Sequence, residues 1–327
     1  MIAGQASGAT AVVAPNALKG VLSAREAAAA LARGFERAGV EAAQVPVADG
    51  GEGTTDALHA ALGGEWRTAS VPDALGRPVR ARWLLLSDRQ AAVESAEPLG
   101  LWRLAPEERD PLRASSRGLG ELVAAALGAG ARGLLVGLGG VATVDGGRGL
   151  REAQVTLPNE STVALCDVTA PLLGPRGAAR AYGPQKGATP AQVDELERRL
   201  ASSAELRPFA DLPGAGSAGG LGAAFAALGA RLVPGADYLL EALGFRERAR
   251  GAALVVTGEG LVDGTTMEGK APGAVLRVCR EEGVRCVVFG GRVALPLEGA
   301  EMRELSGEPA RARDDLVRLG EELARSL

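Results

Sequence analysis

Short apolar runs rich in β-branched residues alternate with stretches whose apolar positions recur at helical spacing, most clearly at the two ends of the chain. AVVAP (residues 11 to 15) reads as a strand. After a loop, Ser23-Ala-Arg-Glu26 carries the capping-box pattern that opens a helix through about Ala38. QVPVADGGEG and TTDALHAAL repeat the sequence of strand, glycine loop and helix. Toward the other end AALVVTGEG, KAPGAVLRVCREEG, RCVVFGG and DDLVRLGEELARSL continue the alternation. Strands that alternate with helices predict a parallel sheet covered by helices, an α/β fold.

Between about residues 66 and 245 the rhythm changes. WRTASVP, RPVRARWLLLS and QAAVESA read as consecutive strands, followed by a helix over GLGELVAAALGAG. Thr189-Pro190-Ala191-Gln192 combines an N-cap, a proline at the first helical position and a capping-box glutamine, so VDELERRL is expected to be helical. The pattern predicts two domains: residues 1–65 with 246–327, interrupted by a second α/β domain over 66–245. A length of 327 residues agrees with two cores.

Composition narrows the function. A net charge of −4 with 3% aromatic residues gives neither the basic stripe nor the stacking platform of a nucleic-acid binder. No apolar run approaches the roughly 18 residues of a membrane span. Three cysteines, Cys166, Cys279 and Cys286, lack paired metal spacing, and the N-terminus lacks a leader pattern, so the cytoplasm is expected. The single histidine, His59, lies inside a predicted helix, which argues against histidine triads and histidine-bound zinc. Small-molecule chemistry remains, with no pattern that fixes an oligomeric state.

Of 36 basic residues only Lys19, Lys186 and Lys270 are lysines, and each stands beside a glycine, in NALKG, GPQKG and MEGKA. A compact point charge can approach a phosphate or carboxylate where a planar guanidinium would not fit. Lys19 precedes a helix N-terminus, where free amides favour an anion. Asp49-Gly50-Gly51-Glu52 and Glu259-Gly-Leu-Val-Asp263 place carboxylates in glycine loops at strand ends, the ligand edge of an open α/β sheet. Lys19, Asp49, Glu259 and Asp263 are therefore expected at one crevice. Gly139-Gly140, Thr143, Asp145 and Gly146-Gly147 follow the apolar strand GLLVG as a glycine cradle of the inserted domain, and Ser115 and Ser116 precede a helix. Those serines suit N-capping and substrate contact equally.

Two generic motifs compete. Gly264-Thr-Thr-Met-Glu-Gly269-Lys270-Ala271 has Walker A spacing, but Ala271 replaces the hydroxyl residue and no compact strand is read directly before Gly264. Gly214-Ala-Gly216-Ser-Ala-Gly219 matches GxGxxG, yet PFADLP before it is a poor strand.

In order and wording, ALKGVLSAREAA, PVADGGEGT, VESAEPLGL, SSRGLGEL, GLGGVATVDGGRG, CDVTAPLLGP, YGPQKGA, GAGSAGGLGAA and VVTGEGLVDGTTMEGKAP resemble the glycerate kinase type-1 family across residues 11 to 291. The resemblance implies a flavodoxin-like parallel-sheet domain interrupted by one resembling the restriction-endonuclease-like fold. It implies ATP, Mg2+ and D-glycerate as ligands, with 2-phosphoglycerate the usual product and 3-phosphoglycerate left open. The chain departs from the family where Val141 and Val144 replace serine and asparagine, and where Thr265 and Thr266 replace glutamine and serine. It is also shorter between Ala153 and Val163, and lacks the closing motif after Arg292.

Phosphoryl transfer needs cations around the phosphates, a carboxylate to orient or deprotonate the acceptor, and donors that hold the substrate. Lys19 and Lys270 are assigned to phosphate or substrate carboxylate, Glu259 and Asp263 to Mg2+, and Asp49 or Asp145 to the base. Ser115, Ser116, Gly50, Gly51, Gly139, Gly140, Thr143, Gly146, Gly147 and Lys186 are assigned to substrate and phosphate. Two other readings stay open: a catalytically impaired homologue that binds a nucleotide or anion, and a kinase of a related sugar acid.

Overall fold

Apolar runs become strands where both faces can be buried, as the wholly buried triplet Ala11–Val13 illustrates. The structure, a computed structural model, describes residues 11–158 and 161–327. Its strands are β1 (Ala11–Val13), β2 (Ala42–Gln44), β3 (Glu65–Pro72), β4 (Pro78–Leu85), β5 (Gln90–Glu94), β6 (Gly133–Leu138), β7 (Thr162–Cys166), β8 (Arg231–Pro234), β9 (Leu254–Val262), β10 (Cys286–Val293) and β11 (Glu301–Glu304). They form two sheets with helices between the parallel strands. The chain is a mixed α/β protein.

Two compact units result: Met1–Ala48 with Leu239–Leu327, and Asp49–Tyr238. The boundaries therefore fall at 48/49 and 238/239, not at the expected 65/66 and 245/246. The reason lies in the glycine loop after Ala48. Gly50 packs on the backbone of Leu165 and Gly235, and the amides of Gly53 and Thr55 donate to the Glu94 carboxylate, so loop and following helix belong with the second sheet.

The first unit holds a wholly parallel sheet in the order β11-β10-β9-β1-β2. Counted within the unit this is 2-1-3-4-5, and its order reverses between β1 and β9. The register pairs Val12 with Val255 and Val13 with Val256. Strand β2 ends earlier than QVPV suggests, because Pro46 has no N–H to extend the ladder, although Val45 and Val47 still donate to Val13 and Pro15. Ser23 caps the helix Ala24–Arg37 through the expected box, its Oγ accepting from the Glu26 amide at 3.2 Å. That helix meets Ala312–Ala324 at backbone contact: a Cβ on Gly34 would stand 2.1 Å from the Val317 carbonyl oxygen, so no larger residue fits.

The second unit holds a mixed sheet in sequential order β3 to β8. The pairs β3-β4 and β4-β5 are antiparallel, as three consecutive strands predict, and β5 to β8 run parallel. Strands β7 and β8 complete the sheet. Trp83, Leu99, Leu119, Leu134, Val136 and Phe225 are among the residues of its core. Thr189 caps Pro190–Ser202 with the predicted box to Gln192. Residues 159–160 of the shortened stretch, and residues 1–10, lie outside the described residues. Among the described residues no helix is long and apolar enough to cross a membrane.

Candidate active site

Ligands of open α/β sheets bind beyond the carboxyl ends of the strands where the strand order reverses. In the first unit that position is between β1 and β9. The chain leaving β1 stays against β9: the Ala14 amide donates to Val256 at 2.7 Å, the Asn16 amide to Gly258 at 2.9 Å, and the Thr257 hydroxyl to the Ala14 carbonyl at 2.7 Å. A Cβ on Gly260 would lie 3.9 Å from the Lys19 backbone nitrogen, which places exposed Lys19 beside Glu259. Lys270 Nζ stands 3.5 Å from a carboxylate oxygen of Glu259 and 3.5 Å from one of Asp263. Lys19, Glu259, Asp263 and Lys270 thus gather at one strand-end crevice of the first unit.

Thr265 and Thr266, read in the sequence as departures from the family pattern, both serve these acids. Thr266 Oγ1 donates to Glu259 at 2.8 Å, and Thr265 donates to Asp263 through hydroxyl and amide. The Thr265 bonds, with the Lys270 ammonium, hold the Asp263 carboxyl below the usual carboxylate range against the opposing effect of burial. Strand β9 does run to Val262, directly ahead of Gly264, contrary to the expectation for the Walker-like segment. That segment nevertheless closes on itself as a 3-10 turn, Gly264–Glu268, capped by Asp263, and Lys270 is the N-cap of the helix Ala271–Glu282.

Asp49 belongs to the second unit. There the backbone of Gly50 and Gly51 covers the ends of β6 and β7. A Cβ on Gly137 would lie 2.7 Å from the Gly50 carbonyl oxygen. A Cβ on Gly51 would lie 3.3 Å from Asp49 Oδ1, and one on Gly139 would lie 2.7 Å from Asp167 Oδ2. Glycines are required for that approach, and it gathers Asp49 and Asp167 around Gly51 and Gly139. Ser95 clasps Gly139, donating to its carbonyl and accepting from its amide at 3.2 Å each.

Farther along the same loop, the Asp145 carboxylate accepts four bonds: Ser116 N at 2.9 Å, Ser116 Oγ at 2.8 Å, Gly147 N at 3.0 Å and Gly149 N at 3.1 Å. Ser116 is wholly buried and its hydroxyl also accepts from Leu150 N, so it fastens the loop to the helix Arg117–Gly128. Ser115 accepts from Arg117 N at 3.3 Å. Gly146 and Gly147 adopt positive φ. Gly140 is exposed and its carbonyl accepts from Leu101 N. Thr143 is buried, its hydroxyl without a bonding partner and its carbonyl accepting Lys186 Nζ at 2.9 Å. Burial pushes the Lys186 ammonium down to about 8, against the opposing attraction of Asp167 and Asp145.

Two acids at strand ends had no assigned role in the sequence: Asp167 after β7, and Glu94 closing β5. Glu94 accepts from Gly53 N at 3.2 Å and from the Thr55 amide and hydroxyl at 2.7 Å. Burial still raises its carboxyl to about 7. Their only signal was a place in VESAEP and CDVTAP. The GxGxxG match has no strand before it. Its Gly219 is packing surface for the cradle: the Gly146 amide donates to the Gly219 carbonyl at 3.1 Å. His59 packs its ring 5.3 Å from that of Trp66.

Lysines and carboxylates gathered at the strand ends of a parallel sheet are the equipment of an α/β phosphotransferase. The model of the glycerate kinase family matches residues 11–157 and 151–307, and the chain belongs to that family. It is 39% identical over 311 residues to glycerate 2-kinase of Escherichia coli K12, covering 83% of this chain and 82% of that one. It is 37% identical over 324 residues to glycerate kinase of Bacillus subtilis 168, with 86% and 85% covered. A crystal structure assigned as glycerate kinase 2 from Salmonella typhimurium LT2 is similar with a TM-score of 0.79 at 32% identity, covering 97% of both chains. The chain is accordingly a kinase, a transferase with an alcohol group as acceptor. Val141 and Val144, read in the sequence as departures from the family pattern, are buried in the core of the second unit.

Proposed function

We propose that the protein is a cytoplasmic glycerate kinase that phosphorylates D-glycerate with ATP, giving 2-phosphoglycerate in preference to 3-phosphoglycerate. The observation that carries the reading is the Lys270 ammonium 3.5 Å from both Glu259 and Asp263, beside Lys19, where the strand order reverses. The curated relatives named glycerate kinase support the acceptor. The order 2-1-3-4-5 supports a flavodoxin-like first unit, and we read the second as related to the restriction-endonuclease-like fold. The three buried free cysteines suit a reducing compartment.

The residues fit Mg2+. Glu259 and Asp263 already direct oxygens at one cation, and Mg2+ that accompanies a nucleotide takes only one or two carboxylates, with phosphates and water completing its shell. When bound it neutralises charge on the phosphates. Lys19 and Lys270 supply further positive charge, Lys270 exchanging its carboxylate contacts for phosphate oxygens. In the second unit Asp49 receives the proton of the glycerate hydroxyl. Asp145, four times bonded within the protein, is assigned to positioning: with Ser116 it fixes the loop whose members Gly139, Gly140, Thr143, Gly146 and Gly147 present backbone donors to the substrate. Lys186 fixes the same loop from behind through Thr143 and adds positive charge; Gly50, Gly51 and Ser115 complete the contacts.

The reading is tested by incubating the protein with ATP, Mg2+ and D-glycerate and following the phosphorus NMR spectrum. A 2-phosphoglycerate resonance is expected. Appearance of 3-phosphoglycerate alone contradicts the isomer, and no phosphoglycerate of either kind contradicts the acceptor.

A further inference from the structure

Within the second unit a cavity of about 300 Å³ opens beside the cradle, walled by Val144 and Asp145 of that loop, by Ser115 at its edge, and otherwise by residues with no part in the transfer. We infer that it is a second anion site, built for a phosphorylated three-carbon hydroxy acid. The inference goes beyond the phosphotransfer reading and does not depend on it.

Charge is the first argument. Four arginines reach the cavity from three elements: Arg113 ahead of the helix Arg117–Gly128, Arg148 and Arg151 on Arg148–Glu152, and Arg199 on Pro190–Ser202. The one acid among its walls is Asp145, whose carboxylate is already occupied by four protein donors. Arg148, Arg151 and Arg199 each pair with a glutamate behind the walls, Glu152, Glu205 and Glu195, so Arg113 carries the unmatched positive charge that favours an anion.

Preorganisation is the second. Arg151 is tied by Nη1 to the Gly146 carbonyl at 2.7 Å and by Nε to Glu205 at 2.8 Å. Arg199 is tied by Nε to Glu195 at 2.7 Å and by Nη1 to the Leu112 carbonyl at 3.3 Å. Side chains held this way lose less freedom when an anion arrives. The Arg113 guanidinium has no ion-pair or hydrogen-bond partner among the described residues, although Leu112 and Ala114 on either side of it also line the cavity.

Size and shape choose among anions. Ligand pockets run from about 300 to about 1,000 Å³, so this one suits a ligand smaller than a nucleotide. Guanidinium forks bind carboxylate and phosphate in pairs of parallel bonds, and forks on separate elements can hold two separate anionic ends. Ser203 adds a hydroxyl for the ligand's own hydroxyl, while Leu196, Leu200 and Leu206 form an apolar floor for its carbon chain. A free phosphate has one anionic end and leaves that floor uncovered.

The test is calorimetric titration of the full chain with 3-phosphoglycerate, run with saturating D-glycerate and a non-hydrolysable ATP analogue present, and in parallel with inorganic phosphate. Saturable 3-phosphoglycerate binding is expected, weakened about tenfold or more in Arg113→Gln/Arg199→Gln, since charge-assisted bonds to the ligand are lost. Both arginines are exposed, so this variant folds. Ser203→Phe, which fills the cavity, gives the same loss, and Lys270→Met does not. The site is overturned by absence of saturable binding under these conditions, or by binding that neither cavity variant weakens. Inorganic phosphate binding as tightly as 3-phosphoglycerate overturns the assignment to an acid.

Discussion

Lys186 buries its ammonium and donates it to the Thr143 carbonyl oxygen at 2.9 Å, so the one buried lysine among the described residues holds the glycine cradle from behind. An ammonium that prefers deprotonation at about 8, instead of near 10.5, carries a charge that matters over a narrow range. Activity is expected to fall as pH rises through about 8. Stability has the opposite slope: the unfolded chain holds the proton more tightly, so stability rises from pH about 8 to about 10.5 and that gain is lost as pH falls through 8. Lys186→Met should lower kcat/KM about 10²-fold and remove the alkaline limb of the profile. At pH 7 it should unfold no more easily than the parent, since the buried charge costs on the order of 3 kcal/mol there. A pH-independent parent profile between 7 and 9 contradicts this.

Glu94 runs the other way. Its carboxyl is raised to about 7, so the folded protein binds the proton more tightly than the unfolded chain between about 4.5 and about 7. The corresponding stability is complete below about 4.5 and is lost as pH rises through 7. Glu94→Gln should flatten that segment of the stability profile, worth on the order of 3 kcal/mol. Urea unfolding at pH 5 and pH 7.5 measures it, and an unchanged slope removes Glu94 from the account.

The two strand-end aspartates of the second unit should separate by phenotype. Asp49→Asn is expected to keep ATP binding while losing turnover, the signature of a lost proton acceptor. Asp145→Asn keeps one acceptor oxygen but turns the other into a donor facing amides, at a cost of about 1–3 kcal/mol in stability. Thermal unfolding and ATP titration of both variants decide, and an Asp145→Asn protein as stable as the parent contradicts the positioning role.

Two glycines of similar backbone conformation make a controlled pair. Gly219 has φ +72 and a Cβ there would stand 2.0 Å from the Thr143 carbonyl oxygen, whereas Gly229 has φ +89 with nothing within 4 Å. Gly229→Ala should cost about 1 kcal/mol of backbone strain. Gly219→Ala adds the displacement of the cradle and should cost at least about twice as much. Equal losses in denaturant titrations would show that the cradle does not rest on Gly219.

Local signals made the elements readable: capping boxes at Ser23 and Thr189 lie where their spacing placed them, and the three consecutive strands that open the second sheet were legible as apolar runs. The strand-end lysine and acids of the first unit were legible because glycine loops after apolar strands have one usual place in a parallel sheet. That Asp49 packs with the second unit was not legible, because its loop is claimed by packing on Leu165 and Gly235, residues far away in sequence. Asp167 and Glu94 went unassigned for the same reason: a single acid at a strand end looks like a solvated one until the neighbouring strands bury it. Asp145 looked like a free base because the Ser116, Gly147 and Gly149 donors that fill its oxygens appear only when the loop closes.

For the crevice of the first unit, Asp263→Ala should raise the Mg2+ concentration needed for half-maximal rate, because one of two carboxylates aimed at the cation is lost. An unchanged requirement takes Asp263 out of that role.

The central claim, that this chain spends ATP on glycerate, is tested most directly by coupled measurement of ADP release with and without D-glycerate. ADP formation is predicted to depend on D-glycerate and to be lost in Lys270→Met. ATP binding with no glycerate-dependent ADP release would contradict it.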